Sequence, residues 1–385
     1  MTTPHRARRT LYGPGAIFRL TEIVRELDAR RVLLVTGGRS FESSGAADAL
    51  PALEQVAEVT RWCDFAPNTD ADDLAIGRDV LETADPELVV GIGGGSVMDM
   101  AKLLVAFDHV SPSGLHEAIR AGAVVPARRR GLVLAPTTSG SGSEATHFAV
   151  VYIGDSKYSI AGETLRADRV LLDPDLARSG SRHQRATSGV DALCQATESL
   201  WAVNSTPVSR RYARHGLELV MSALIPFTDE PTARAARAMS IGSHLAGRAI
   251  DISKTTAAHA LSYGITKRYG TDHGNAVAVT LGPFIDEHLH AMPGDLQPGV
   301  DPTVHRDAME TIRRVLRIDG SRTGTESIRA VLRRIGLAAT LTEVGADSDH
   351  AIASLAAAVN VERLGNNPVR FDPDGLVRVL VAATR

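Results

Sequence analysis

A chain of 385 residues exceeds the size at which one hydrophobic core usually keeps growing, so two domains are expected, and an apolar fraction of 44% supplies both cores. The 42 Lys and Arg nearly balance the 45 Asp and Glu, and a net charge of −3 offers no basic surface to nucleic acid or to an anionic membrane. With only Cys63 and Cys194 there is neither a disulfide framework nor a thiolate zinc site, and no apolar run approaches the ~18 residues of a membrane helix, so a soluble cytoplasmic protein is expected.

The basic residues 1–10 lead into no apolar segment and do not read as a secretory signal. The first half of the chain then alternates short β-branched runs with helical patterns, as parallel strands joined by crossover helices do. Residues 32–35 form a buried strand ended by Gly37 and Gly38, and residues 88–92 form a second, with Ser96 opening a helix. A third strand in GLVLAPTTSGSGSEAT ends in a loop rich in Ser, Thr and Gly. From about Arg182 strands vanish, and Ala-rich amphipathic segments follow at 190–203, 208–223, 232–249 and 257–266. Later helices are expected at 305–316, 325–335 and 350–357, and the Pro-bearing stretch 290–303 reads as an exposed loop. The division predicted is an α/β domain with a parallel sheet over residues 1–181 and an all-α domain over residues 182–385.

Glycines at Gly93, Gly94 and Gly95, followed by Ser96, stand between a strand and a helix, where the backbone can approach a ligand and helix-start amides favour phosphate oxygens. The spacing is not the G-x-G-x-x-G fingerprint. Residues 137–144, TTSGSGSE, place hydroxyls and amides at the carboxyl end of another strand, where open α/β sheets bind ligands. Either stretch alone serves equally as a plain turn or a mobile loop, and their pairing at adjacent strand ends favours a nucleotide cleft. Lys102 and Lys157 are candidates to bring positive charge near pyrophosphate or substrate, the alternative being solvated lysines.

Residues 253–274 hold the densest chemistry. His259 lies on a helical run with Tyr263 four residues on, hence on the same face, and His273 follows in a Thr-Asp-His-Gly corner that reads as a loop. Asp191 and Gln195 repeat the four-residue spacing upstream. A divalent metal needs such ligands converging from separate elements with a position left open for substrate, and Asp191, His259 and His273 meet that need.

These residues carry a family resemblance. Over nearly its full length the chain resembles the iron-type (group III) alcohol dehydrogenases, through Tyr12-Gly13-Pro14-Gly15, Gly93 to Ser96 with Asp99 and Lys102, the 137–144 loop, Asp173-Pro174, Gly189-Val190-Asp191-Ala192-Leu193 and the His259 and His273 pair. The resemblance implies the dehydroquinate synthase-like fold, an N-terminal dinucleotide-binding domain, a helical domain and an active-site metal, Fe2+ or Zn2+, in the cleft. Asp191, His259 and His273 match three of the family's four metal ligands, while Gln195 stands where the fourth is normally a histidine. Tyr263 replaces a second histidine. The implied cofactor set is Gly37, Gly38, Arg39, Asn68, Gly93, Gly94, Gly95, Ser96, Asp99, Thr137, Thr138, Ser141, Ser143 and Lys157. Gly37 occupies the place of an acidic residue that disfavours NADP, so both NADH and NADPH are admitted.

Residues 201–213, 253–263 and 360–368 are similar to the phosphonate-metabolism branch, where Gln and Tyr at these two positions are usual. That branch implies reduction of phosphonoacetaldehyde to 2-hydroxyethylphosphonate by NAD(P)H, with the metal as Lewis acid at the carbonyl. His259 and Tyr263 are the catalytic candidates, Tyr263 or the ribose hydroxyls with water supplying the proton. A doubly charged tail needs cationic and neutral donors to leave water, and Asn204, Ser205, Arg210, Lys254, Thr255, Thr256 and Arg268 are the expected set, flanked by Arg211 and Lys267. A homodimer is expected. The competing readings are a dehydrogenase for a small uncharged alcohol, a dehydroquinate-synthase-type lyase, and a nucleotide-binding protein without catalysis.

Overall fold

A computed structural model describes residues 8–124 and 127–385; the first seven residues of the basic start lie outside the described residues. The chain separates into two compact units, Met1–Gly180 and Ser181–Arg385.

Among the described residues the first unit has eight strands: β1 (Arg9–Tyr12), β2 (Arg31–Thr36), β3 (Glu58–Trp62), β4 (Leu88–Gly93), β5 (Gly131–Pro136), β6 (Phe148–Ile153), β7 (Ser156–Ala161) and β8 (Arg169–Leu172). Six of them make one parallel sheet in the order β1-β8-β5-β4-β2-β3. Apolar runs dictate this arrangement, because a strand apolar on both faces is stable only when both faces are covered. Along β2, Leu33 and Val35 enter one core with Leu74 and Leu81 of helix α1 (Ala71–Ala84) and Met98 and Leu103 of α2 (Gly95–Ala106). Val32 and Leu34 enter the other, with Leu20, Ile23 and Leu53.

One pair departs from the parallel expectation. β6 and β7 form an antiparallel hairpin of their own, turned at Gly154 with φ 53. The polar alternation of SKYSIA suits a strand covered on one face only.

The second unit is helical among the described residues, apart from an isolated bridge between Leu296 and Val369. Its longer helices are α3 (Arg182–Trp201), α4 (Pro207–Asp229), α5 (Ala233–Ser253), α6 (Ala257–Tyr269), α7 (His273–His290), α8 (Pro302–Leu316) and α9 (Gly324–Ile335). Several start earlier than their apolar periodicity does, because hydroxyl caps set the boundary. Ser181 Oγ accepts from Gln184 N ahead of α3, and Thr206 does the same for Ser209 ahead of α4. The polar first turn Arg182 to Arg185 therefore belongs to α3. His273 is likewise the first residue of α7, not a loop residue, with Asp272 as its N-cap. No helix of the described residues is long and apolar enough to cross a membrane.

Candidate functional site

In the first unit the two glycine- and hydroxyl-rich stretches meet. Because β4 and β5 pair in register as far as Gly93 and Pro136, the loops that follow leave the sheet side by side, and Thr137 N donates to Gly93 O at 2.9 Å. Gly94 is the extended N-cap of α2, and a Cβ on Gly95 would lie 3.0 Å from Ser141 Oγ. Ser96 Oγ accepts from Asn68 N at 3.1 Å, which brings the left-handed Asn68 (φ 72) to the same helix start. Gly37, Gly38 and Arg39 lie past the end of β2, where Arg61 donates to Thr36 Oγ1 at 2.9 Å and to Gly38 O at 3.4 Å.

Three residues expected to face a ligand are instead turned inward. Lys102 is fully buried and donates to Ser143 Oγ, Thr146 Oγ1 and Phe148 O, each at 2.9 Å. Asp99 accepts from Ser143 Oγ and from Val150 N at 2.9 Å. Burial pushes the Asp99 carboxyl up, against the opposing effect of Lys102, Ser143, Val150 and Lys157. Lys102, Asp99 and Ser143 thus fasten the 137–144 loop and the β6–β7 hairpin to α2. Their spacing of three along α2 puts Asp99 and Lys102 on one face, and both are spent on that anchorage.

In the second unit α3, α6 and α7 bring Asp191, His259 and His273 together, with one potential ligand atom from each lying within 4.8 Å of the others. His259 Nε2 is 3.4 Å from Asp191 Oδ1, and the His259 and His273 ring centroids are 5.5 Å apart. Gly274 makes this approach possible. A Cβ there would fall 2.0 Å from Thr187 O and 3.0 Å from Asp191 Cβ, so only glycine lets the start of α7 lie against α3. Gln195, one turn beyond Asp191, donates its amide to Asp191 Oδ2 at 3.0 Å.

The sequence reading missed Glu198. It is fully buried, and its Oε1 accepts from Thr256 N (3.3 Å), Thr256 Oγ1 (2.8 Å), Ala258 N (3.0 Å) and His259 N (3.3 Å), capping the start of α6. Its Oε2 holds His259 Nδ1 in a close hydrogen bond. Asp191, Gln195 and Glu198 stand at i, i+4 and i+7 on α3, and that stripe was the available signal. Ser262 supports the other imidazole: its hydroxyl donates to His259 O at 2.8 Å and lies 3.4 Å from His273 Nδ1. With the Nδ1 atoms so engaged, both rings are set to present Nε2.

Charge follows from this geometry. Burial opposes a charged His259, but the carboxylates of Glu198 and Asp191 outweigh it and push the imidazole up to about 9. For Glu198 burial acts upward, and His259 with the Thr256 hydroxyl overcomes it and holds the carboxyl below its usual value. The cluster is a demand for positive charge. A carboxylate with two imidazoles suits divalent iron or zinc, so the residues present fit a metal. Tyr263 stands beside His273, with ring centroids 6.3 Å apart and planes 13° from parallel. Burial raises the Tyr263 phenol above its ordinary value, an effect the charge and hydrogen bond of Arg363 partly offset.

The expected substrate set divides. Thr256 is fully buried and committed to Glu198 and to the Trp201 indole, which donates to its hydroxyl at 2.9 Å, so it cannot serve as a donor to substrate. Arg268 is exposed and donates to Ser354 Oγ at 2.6 Å, away from the cluster. Arg210 and Ser205 bond to each other at 3.0 Å. Asn204 N is held by Asn366 Oδ1 at 3.0 Å, and Thr255 O accepts from Asn366 Nδ2 at 2.9 Å. Lys254, half-buried, adopts φ 61 and ψ −178 at the end of α5.

Comparison with known proteins agrees with this layout. Residues 7–174 match the iron-containing alcohol dehydrogenase model, and residues 185–384 match the C-terminal model of the Fe-containing alcohol dehydrogenase family. The chain is 38% identical over 333 residues to phosphonoacetaldehyde reductase of Streptomyces viridochromogenes, an alignment spanning 82% of this chain and 80% of that protein. Among solved structures, the NAD+ complex of sulfoacetaldehyde reductase from Bifidobacterium kashiwanohense superposes with a TM-score of 0.85 at 25% identity, covering 100% of this chain and 98% of that one. The iron-containing alcohol dehydrogenase of Thermotoga maritima shares the fold, with a TM-score of 0.81 at 24% identity and coverage of 100% and 99%. Family models over both units, and a relative of this identity and span, show that the chain belongs to the iron-containing alcohol dehydrogenase family and is an oxidoreductase.

Proposed function

We propose that the protein reduces phosphonoacetaldehyde to 2-hydroxyethylphosphonate with NADH or NADPH and a divalent metal. The observation that carries the reading is the buried cluster of Asp191, His259 and His273, backed by Glu198. The choice of aldehyde is supported by the relatives, one named for a phosphono- and one for a sulfoacetaldehyde, both small aldehydes with an anionic tail.

Asp191, His259 and His273 would hold the metal, with Gln195 fixing the Asp191 carboxylate rather than acting as a strong fourth ligand. When bound, the metal polarises the aldehyde oxygen and the nicotinamide supplies hydride to the carbonyl carbon. The backbone amides at Gly94, Gly95 and Ser96, with Thr137, Thr138 and Ser141, would receive the cofactor's pyrophosphate. The reduction consumes one proton, delivered to the former carbonyl oxygen. Tyr263, whose ring stands beside His273, would be one source of that proton, and the ribose hydroxyls with water the other.

The test is consumption of NADH and of NADPH by purified metal-loaded protein given phosphonoacetaldehyde, propanal or butanal. A preference for the phosphonate aldehyde, abolished by Asp191→Ala and by His259→Ala, is the expected result. Full activity in either variant would overturn the metal role, and equal rates with the three aldehydes would overturn the substrate.

A further inference from the structure

The last turn of α3 is joined to the metal cluster by side chains that are not themselves expected ligands. Trp201 closes the helix three residues beyond Glu198, a spacing that puts both side chains on one face. The indole is buried against the His288 ring, with centroids 4.2 Å apart, and its Nε1 donates to Thr256 Oγ1 at 2.9 Å. Thr256 Oγ1 in turn donates to Glu198 Oε1 at 2.8 Å, and Glu198 Oε2 holds His259 Nδ1. An unbroken chain of hydrogen bonds thus runs from the tryptophan to an expected metal ligand.

Donor and acceptor chemistry gives this chain a direction. An indole N–H only donates, so Thr256 accepts there and its single hydroxyl proton is left for Glu198. Thr256 holds the N-cap position of α6, where a threonine oxygen ordinarily accepts from an amide of the first turn, yet its side chain makes no such bond. Glu198 Oε1 takes those amides instead, from Ala258 N at 3.0 Å and His259 N at 3.3 Å. The hydroxyl is thereby released from capping and turned to the carboxylate. With Oε1 occupied by these donors, Oε2 faces His259, whose Nε2 lies 3.4 Å from Asp191 Oδ1. The backbone around Thr256 has supports of its own: Asn366 Nδ2 donates to Ser253 O at 2.8 Å and to Thr255 O at 2.9 Å, and Ser253 Oγ is 2.7 Å from Ser199 Oγ. Removing the indole N–H therefore frees a hydroxyl without undoing the segment that carries it.

We propose that Trp201 is a positioning residue of the metal centre, pinning the Thr256 hydroxyl on Glu198 and, through that carboxylate, the ring of His259. The proposal rests on the metal role of Asp191, His259 and His273 stated above and extends it outward from Glu198 by two side chains. A threonine hydroxyl is a rotor, and once the indole occupies its oxygen it has one setting that satisfies both neighbours. A hydrogen bond to a carboxylate is charge-assisted, and in a buried chain each link polarises the next. Phenylalanine in place of Trp201 keeps an aromatic ring for His288 to pack on but supplies no donor, so the ring and the N–H are separable by substitution.

Zn2+ titration of the metal-free, full-length protein against a competing chelator tests the proposal independently of turnover. Trp201→Phe should weaken binding by about 2- to 10-fold, the size of one net hydrogen bond, and Thr256→Val by at least as much, while Thr256→Ser stays near wild type. The double variant Trp201→Phe with Thr256→Val should bind no more weakly than Thr256→Val alone, because the indole acts through the hydroxyl. Losses that multiply in the double variant, or wild-type affinity in Trp201→Phe with only a lower melting temperature, show that Trp201 merely packs and overturn the proposal. Where the phenylalanine variant does not fold, benzothienylalanine in place of tryptophan keeps the ring outline and lacks the N–H, and wild-type affinity there overturns it equally. A wild-type protein that binds Zn2+ no better than Asp191→Ala overturns the metal reading itself.

Discussion

Replacing Glu198 with glutamine separates the two tasks of one buried carboxylate. Its Oε1 receives four donors at the start of α6, and its Oε2 takes the His259 Nδ1 proton. A glutamine can present its carbonyl oxygen to the same four donors, so the helix cap survives. Its other terminus is an NH2 group, which turns the bond to His259 around: Nδ1 must now accept, and the ring proton moves to Nε2. That nitrogen is the one 3.4 Å from Asp191 Oδ1, and protonated it has no lone pair for a metal.

Outer partners of this kind are worth roughly 10- to 100-fold in metal affinity, or about 1.4–2.7 kcal/mol. Glu198→Ala differs in kind, since it strips the acceptor from four buried donors at about 1–3 kcal/mol for each one left unsatisfied. The assays are metal content after dialysis against a chelator and thermal unfolding of the metal-free protein. Glu198→Gln should fold nearly as well as wild type and lose metal; Glu198→Ala should lose both. Wild-type metal affinity in Glu198→Gln would refute the argument that Glu198 sets the His259 tautomer.

Two further outcomes are expected. Gly274→Ala places a methyl 2.0 Å from Thr187 O and drives the first turn of α7 off α3, so it should cost about 1–3 kcal/mol in stability and weaken metal binding measured by titration, since His273 is the adjoining residue. A variant that binds metal as wild type does would show that His273 is placed by something else. His288 is buried against the Trp201 ring and bonded to His305 at 3.2 Å, and burial with the neighbouring His305 keeps it well below the ordinary histidine value. A histidine depressed in the folded state binds its proton better when unfolded, so stability should fall as pH drops below ~6.5, by up to about 1.4 kcal/mol per pH unit. Unfolding followed from pH 7.5 to 5 (about two units) should be steeper in wild type than in His288→Leu, and equal slopes would refute it.

Physical reasons decide which of these features were legible in the sequence. Strands β2, β4 and β5 announce themselves because burial on both faces demands unbroken apolar runs. The edge strands β1 and β3 have mostly solvated residues, and RTLY carries no such run. Asp191, His259 and His273 were readable because a metal tolerates few residue types, which makes their spacing informative. Glu198 was not, since a glutamate on a helix ordinarily marks a solvated face, and only its fully buried position reveals otherwise. Lys102 failed in the opposite direction: a lysine after a glycine-rich turn suggests phosphate, but the fold closes over it and spends its charge on Ser143, Thr146 and Phe148. Asn366 lies far along the chain from Asn204, Ser253 and Thr255, and the likeness of residues 360–368 to the phosphonate branch did not say what it bonds.

The charges at the cluster are matched to a divalent ion. A divalent metal held by neutral His259 and His273 would be balanced by Asp191 and by Glu198, so the assembled centre would carry no net charge. A histidine in place of Gln195 would strengthen the ligand set without altering that balance, whereas the amide of Gln195 fixes one oxygen of Asp191 and turns the other toward His259. Asn366 bonds the carbonyls on either side of the strained Lys254, so that strain lies outside the cluster, and the buried carboxylates serve the His259 imidazole.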